Sequence, residues 1–146
     1  MILYFDTSAL VKSYIKEAGS ENVVELIESA ETIGSSSLAK VEMAAALEKG
    51  VRHKWVARTN ALKAWNGFLD DWPFFTRLVV SAATIDRASA LAWEYSLRGY
   101  DATHLACGLI WQETLDTQIT IATFDRDLWR ASDKAGLTAW PATLLS

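Results

Sequence analysis

A single cysteine, Cys107, rules out an internal disulfide, and the chain has no Cys/His set spaced to hold structural zinc. It also lacks a Ser-His or Cys-His signature and a histidine pair suited to acid–base work, which argues against metal-free nucleophilic chemistry. No apolar run approaches the ~20 residues that cross a bilayer, and no basic region precedes the short apolar stretch at the start. A soluble, cytoplasmic protein without membrane contact is therefore expected. Internal repeats, low-complexity tracts and linkers are absent. Positive charge is in short supply too: the formal net charge of −4 argues against a general nucleic-acid coat, because phosphate affinity rests on Lys and Arg. A protein that meets phosphate through bound cations is not excluded, since such ions reverse the local potential.

What is present is apolar material, 51% of 146 residues, enough for one domain over 1–146 with a substantial core. The apolar runs at 2–5 and 119–124 are short enough for buried central strands. Further strands are expected at 31–35, 78–83 and 137–140. Helices are expected at 8–15 and 20–29 with Gly19 between them, then from a cap at Ser36 or Ser37 to about 54, and at 59–70. Three more are expected at 86–98, with Ala90, Trp93 and Leu97 on its packed face, at 101–114, and at 125–134 with Gly136 as its stop. Strands alternating with helices predict an α/β layer structure around a mainly parallel sheet.

Four acidic residues stand where a strand has just ended or a helix is starting: Asp6, Glu42, Asp101 and Asp125. In open parallel sheets, ligands collect beyond the carboxyl ends of strands. Like charges ~4 Å apart at an effective dielectric near 20 repel by roughly 4 kcal/mol per pair, a penalty that a bound cation removes. Oxygen-only ligands suit a hard ion, Mg²⁺ or Mn²⁺. Taken singly, three of the four have plainer explanations; Asp6, at the end of the first strand, lies where substrate is expected. Glu42 also reads as a partly exposed helical glutamate or one paired with a basic side chain, and Asp101 and Asp125 as helix N-caps. Asp127 is a candidate fifth carboxylate. Ser8 reads equally as an N-cap or as a donor to a ligand carboxylate or phosphate. Thr123 shares a strand face with Asp125 and is placed to orient it.

Asp6-Thr-Ser-Ala-Leu-Val-Lys12, Ser36-Ser-Leu-Ala-Lys-Val-Glu42, Arg98-Gly-Tyr-Asp101-Ala-Thr-His-Leu-Ala106 and Ala122-Thr-Phe-Asp125-Arg-Asp127-Leu together resemble the PIN-domain nucleases. More closely they resemble the VapC toxins of bacterial and archaeal toxin–antitoxin pairs, in order and over nearly the whole chain. The resemblance implies a three-layer α/β/α PIN-like domain and a Mg²⁺- or Mn²⁺-dependent endoribonuclease. Asp6, Glu42, Asp101 and Asp125 match the family's acidic positions, and Asp127 matches one that is dispensable in some members. His104, within a variable part of the pattern, reads as a packing or helix-surface residue rather than a base.

The chemistry so implied is hydrolysis of an RNA phosphodiester by metal-activated water, with Glu42 or Asp101 as proton acceptor and Ser8 and Thr123 as accessory hydrogen-bonders. A VapB-like antitoxin and a homodimer are the implied partners. The cluster Arg52, His53, Lys54 and Arg58 reads as a solvated face or as an RNA track, and the aromatics from Trp55 to Phe75 as core or as an interface. The alternatives are a PIN nuclease of RNA processing, a catalytically silent binding module, and an aspartyl-phosphate phosphotransferase. The last would want a second aspartate where Ser8 stands.

Overall fold

The computed structural model describes residues 1–144. Its elements run β1 (Ile2–Phe5), α1 (Thr7–Leu10) with a 3-10 turn (Val11–Ser13), α2 (Ser20–Glu28), β2 (Thr32–Ser36), α3 (Ala39–Arg52), and α4 (Arg58–Asp71) with a 3-10 turn (Trp72–Phe74). Then follow β3 (Thr76–Leu78), α5 (Ala82–Tyr95), α6 (Gly99–Leu115), β4 (Ile119–Ala122), α7 (Arg126–Ala135) and β5 (Thr138–Trp140). Every strand pairing is parallel, in the order β3-β2-β1-β4-β5.

Period-two alternation builds the three layers. Leu3 and Phe5 of β1 pack with Leu10, Val23, Met43 and Phe68 on the side of α1 to α4. Tyr4 faces the opposite way, into the cluster formed by α5, α6 and α7 with Ile119, Ile121 and Leu128. Helix α6 lies so close to the sheet that a Cβ on Gly34 would stand 2.7 Å from the Trp111 ring, so only glycine fits there. Among the described residues no helix is long and apolar enough to cross a membrane.

The chain winds outward from β1 through β2 to β3, then returns across the sheet to place β4 on the other side of β1. The sheet order thus reverses between β1 and β4, and a crevice opens beyond their carboxyl ends at such a point. Phe5 pairs with Ala122, and the Asp6 N–H extends the ladder by donating to the Ala122 carbonyl at 3.0 Å. The segments that follow the two central strands are therefore neighbours.

Three elements differ from the sequence expectation. The third strand is not 78–83 but Thr76–Leu78, paired with Gly34 to Ser36, because Ser81 and Thr84 form a capping box that starts α5 at Ala82. The packed face of α5 is Thr84, Ala88 and Leu91, whereas Ala90 and Trp93 point to solvent. Helix α3 opens at Ala39, not at Ser36 or Ser37: Ser36 ends β2, and its hydroxyl accepts the Leu38 N–H at 3.1 Å from outside the helix.

Candidate active site: a carboxylate cleft at the strand reversal

Four elements bring carboxylates to one cleft of about 560 Å³. Asp6 follows β1, Glu42 sits in the first turn of α3, Asp101 in the first turn of α6, and Asp125 caps α7. Ser8 shares the lining, and Lys49, Arg98 and Tyr100 supply cationic and aromatic walls. Asp127 does not belong to this set. It is exposed in the first turn of α7, where an acidic side chain suits the helix N-terminus.

Asp6 is buried and fixed from two sides. Ser8 Oγ donates to its Oδ2 at 2.6 Å, and Thr123 Oγ1 donates to the same atom at 2.7 Å. Both hydroxyls are themselves held by backbone: Ser8 Oγ accepts the Phe124 N–H at 2.9 Å, and Thr123 Oγ1 accepts the Asp125 N–H at 3.0 Å. The loops after β1 and β4 are thus laced together through the Asp6 carboxylate. Ser8 and Thr123 work through Asp6 and are positioning residues.

His104 belongs to the same constellation. It is fully buried on α6, one turn beyond Asp101, with Nε2 2.7 Å from Glu42 Oε1 and 3.6 Å from Asp6 Oδ1. Its Nδ1 lies 2.7 Å from the Tyr4 hydroxyl. Burial pulls the imidazole pKa down, but the hydrogen bond to Glu42 and the charges of Asp6, Glu42 and Asp101 outweigh it, and the net shift is upward. As imidazolium, the ring donates to Glu42 and to Tyr4; as the neutral tautomer, it donates to Glu42 and accepts from Tyr4. Either form satisfies both nitrogens.

Arg98 does for the other half of the cleft what His104 does for the first. Its Nε donates to Asp101 Oδ2 at 2.9 Å and its Nη2 to Asp125 Oδ2 at 2.7 Å, with the side chain 76% exposed. Asp125 uses its remaining oxygen to cap α7, accepting the Leu128 N–H at 2.9 Å. Burial pushes the Asp101 carboxyl above its ordinary pKa, opposed by the Arg98 hydrogen bond and reinforced by Asp125. The mutual repulsion of four carboxylates is thus offset by one exposed cation, Arg98, and by a buried imidazole whose pKa is shifted upward.

In kind, this donor set fits a hard divalent ion: Asp6, Glu42, Asp101 and Asp125 offer only oxygens. Thr7 adds a second sign, since it lines the cleft and its buried Oγ1 has no hydrogen-bond partner among the described residues. In arrangement, among the described residues no three acidic or histidine side chains converge as a ready-made cation cluster. The reason is visible in the pairing, because Arg98 spans two of the carboxylates and His104 engages a third. Coordination through Asp101 Oδ2 or Asp125 Oδ2 would compete with the exposed guanidinium.

His104 and Arg98, the partners of the carboxylates, are not picked out as site residues in the sequence, nor are the cleft-lining Thr7, Lys49 and Tyr100. The signal for His104 and Arg98 is spacing, since each stands three residues from Asp101 and so on its helix face or just before it.

The PIN domain family model matches residues 3–134. Ribonuclease VapC45 from Mycobacterium tuberculosis (strain CDC 1551 / Oshkosh) is 35% identical over 144 residues, 98% of this chain and 97% of that one. Among solved structures, VapBC2 from Rickettsia felis, bound to a DNA fragment from their promoter, aligns with a TM-score of 0.63 at 17% identity, covering 96% of this chain and 99% of that one. A toxin–antitoxin complex from Klebsiella pneumoniae aligns with a TM-score of 0.58 at 17% identity, over 86% and 88% of the two chains. At such identity the structural likeness speaks to the fold, whose five parallel strands and flanking helices form the three-layer α/β/α arrangement. By the family match and the full-length similarity to a VapC ribonuclease, the chain belongs to the PIN-domain family, within its VapC branch.

Proposed function

We propose that the chain, acting as one domain in the cytoplasm, is a divalent-metal-dependent endoribonuclease and the toxin of a toxin–antitoxin pair. The observation that carries this reading is the cleft itself. Asp6, Glu42, Asp101 and Asp125 arrive from four separate elements at the reversal point of the sheet, in a family whose similar member is named a ribonuclease. Mg²⁺ or Mn²⁺ held by these carboxylates would supply Lewis acidity and a water of lowered pKa.

The chain's own residues have separable tasks. Ser8 and Thr123 hold Asp6 in one orientation, and His104 holds Glu42, so this half of the cleft needs no rearrangement on loading. Hydrolysis adds the hydroxyl of water to phosphorus, breaks the P–O bond and delivers a proton to the leaving oxygen. Asp101, with its carboxyl pKa raised by burial, is the better proton acceptor of the two acidic candidates, because Glu42 is engaged by His104. Arg98, once displaced from Asp101 and Asp125, remains at the cleft as a cation for a phosphate oxygen. Asp127, outside the cleft lining, adds to the negative field around Arg98.

The antitoxin reading has its own support. An apolar groove of about 310 Å³ between α3 and α4, lined by Leu47, Val51, Ala61, Leu62 and Trp65, suits the apolar face of a partner helix. A VapB-like antitoxin is the proposed occupant, and a homodimer the proposed assembly.

The test is cleavage of total cellular RNA by purified chain with Mg²⁺, with Mn²⁺ and with EDTA, alongside Asp6→Asn. Metal-dependent cutting that falls by at least ~10²-fold in the variant is expected. Cutting that survives EDTA or the substitution would refute the assignment.

A further inference from the structure

Trp55 is an exposed tryptophan whose surroundings are built for something other than a core. It follows α3 in a turn held by backbone hydrogen bonds: Trp55 N–H donates to the Gly50 carbonyl at 2.8 Å, and Lys54 takes the left-handed conformation at φ 61°. One face of the indole rests on the His53 ring, with centroids 4.8 Å apart and planes 17° from parallel. The residue is nonetheless 71% exposed.

Other exposed aromatics lack such neighbours. Trp93 and Phe74 are more exposed still, but no cation stands over either ring among the described residues. Over Trp55 stands Lys49, its ammonium 5.9 Å from the ring centroid, and Lys49 also lines the carboxylate cleft. The remaining ring–cation contact, Lys12 with Phe124, involves a lysine already paired with Glu17. On its far side Trp55 borders a second cleft, of about 560 Å³, that carries Lys16, Asn60 and Lys63. Among the described residues Lys16, Lys49, Lys54 and Lys63 have no carboxylate partner. Unpaired ammonium groups therefore flank the Trp55 ring, Lys49 toward the acidic cleft and Lys16 and Lys63 in the second cleft that the ring borders.

We propose that Trp55, backed by His53 and linked to the carboxylate cleft by Lys49, is a stacking platform for a base of single-stranded RNA flanking the bond that is cut. The inference rests on the ribonuclease reading of the cleft. Aromatic stacking with interleaved cations is how unpaired strands are bound, the ring taking a base and the ammonium groups the backbone. A chain of net charge −4 can still hold RNA where a few cations gather beside an aromatic ring, as Lys49, Lys16 and Lys63 do around Trp55. A protein partner fits this patch less well, because the apolar surface such a partner would cover lies in the separate groove of Leu47, Leu62 and Trp65.

The experiment uses the full chain carrying Asp6→Asn, which blocks cutting, and a fluorescein-labelled single-stranded RNA oligonucleotide, followed by anisotropy at several salt concentrations. Trp55→Ala should weaken binding about tenfold at every salt concentration without changing the salt slope, Trp55→Phe should keep most of the affinity, and Trp55→Leu should not. Lys49→Gln should reduce the salt slope by about one phosphate contact. Trp93→Ala serves as the exposed-tryptophan control and should change nothing. Unchanged RNA affinity in Trp55→Ala would overturn the platform while leaving the ribonuclease reading intact, as would rescue by Leu equal to that by Phe, or a defect confined to antitoxin binding. If the unsubstituted chain neither cuts nor binds RNA, the ribonuclease reading fails and the platform fails with it.

Discussion

The two halves of the carboxylate cleft solve one electrostatic problem in different ways. Asp6 and Glu42 are tied to groups that cannot leave: His104 is buried, its Nδ1 is pinned by Tyr4, and Ser8 and Thr123 are locked by backbone. Asp101 and Asp125 are tied to Arg98, a long side chain in water that is free to rotate away. A buried pair is costly to break because the partner left behind keeps its desolvation penalty, whereas an exposed pair is worth little. The first half is held rigidly and the second by a side chain that can exchange; on the proposed metal reading, Arg98 stands where a cation would bind.

The largest effect should come from breaking the fixed half. His104→Ala strands the Glu42 carboxylate and the Tyr4 hydroxyl, and urea denaturation should show a loss of about 3 kcal/mol. A loss below ~1 kcal/mol would remove the distinction between the halves. Breaking the exchangeable half should do the reverse. Arg98→Ala should cost less metal-free stability than His104→Ala, because Arg98 is 76% exposed and water can take its place at the aspartates. It should also tighten Mn²⁺ binding by about tenfold, the order expected for removing one positive charge near a divalent ion in a hydrated cleft. Calorimetric titration with Mn²⁺ gives that number directly.

A subtler contrast lies in pH. The folded-state pKa of His104 stands above its ordinary value of 6.5. Its ionisation therefore adds stability that is fully present below about pH 6.5 and is lost as pH rises through the raised folded value. In EDTA, the stability difference between the unsubstituted chain and His104→Gln should shrink along that rise, and a difference that grew with pH would have the wrong sign. The smallest effect is expected far from the cleft. The Arg87–Glu113 pair links α5 and α6 at an exposed position, and Glu113→Gln should change stability by under about 1 kcal/mol and leave Mn²⁺ affinity alone.

Much of the site is legible in the sequence because it is written at strand ends. Asp6 and Asp125 follow apolar runs too short for helices, and Gly136 marks where α7 stops with φ 103°. Helix α6 is harder, since it is buried on nearly every side and its apolar pattern has no polar face against which His104 stands out. Spacing from Asp101 was the usable signal for His104 and Arg98 alike. The third strand was misplaced because Val79 and Val80 look more strand-like than Thr76 and Arg77. Pairing with β2 fixes that edge strand, and the Ser81–Thr84 box overrules the apolar run. On α5, Trp93 looks like core by composition, yet the smaller Ala88 and Leu91 take the packed seam against α6, as close helix approach favours.

The central claim, that the cleft is a divalent-ion site from which Arg98 withdraws, is tested most directly by a crystal structure of the chain with Mn²⁺, read by anomalous scattering. A manganese peak among Asp6, Glu42, Asp101 and Asp125, with the Arg98 guanidinium displaced from Asp101 and Asp125, is expected. No peak at saturating Mn²⁺, or a peak with Arg98 still bridging Asp101 and Asp125, would contradict it.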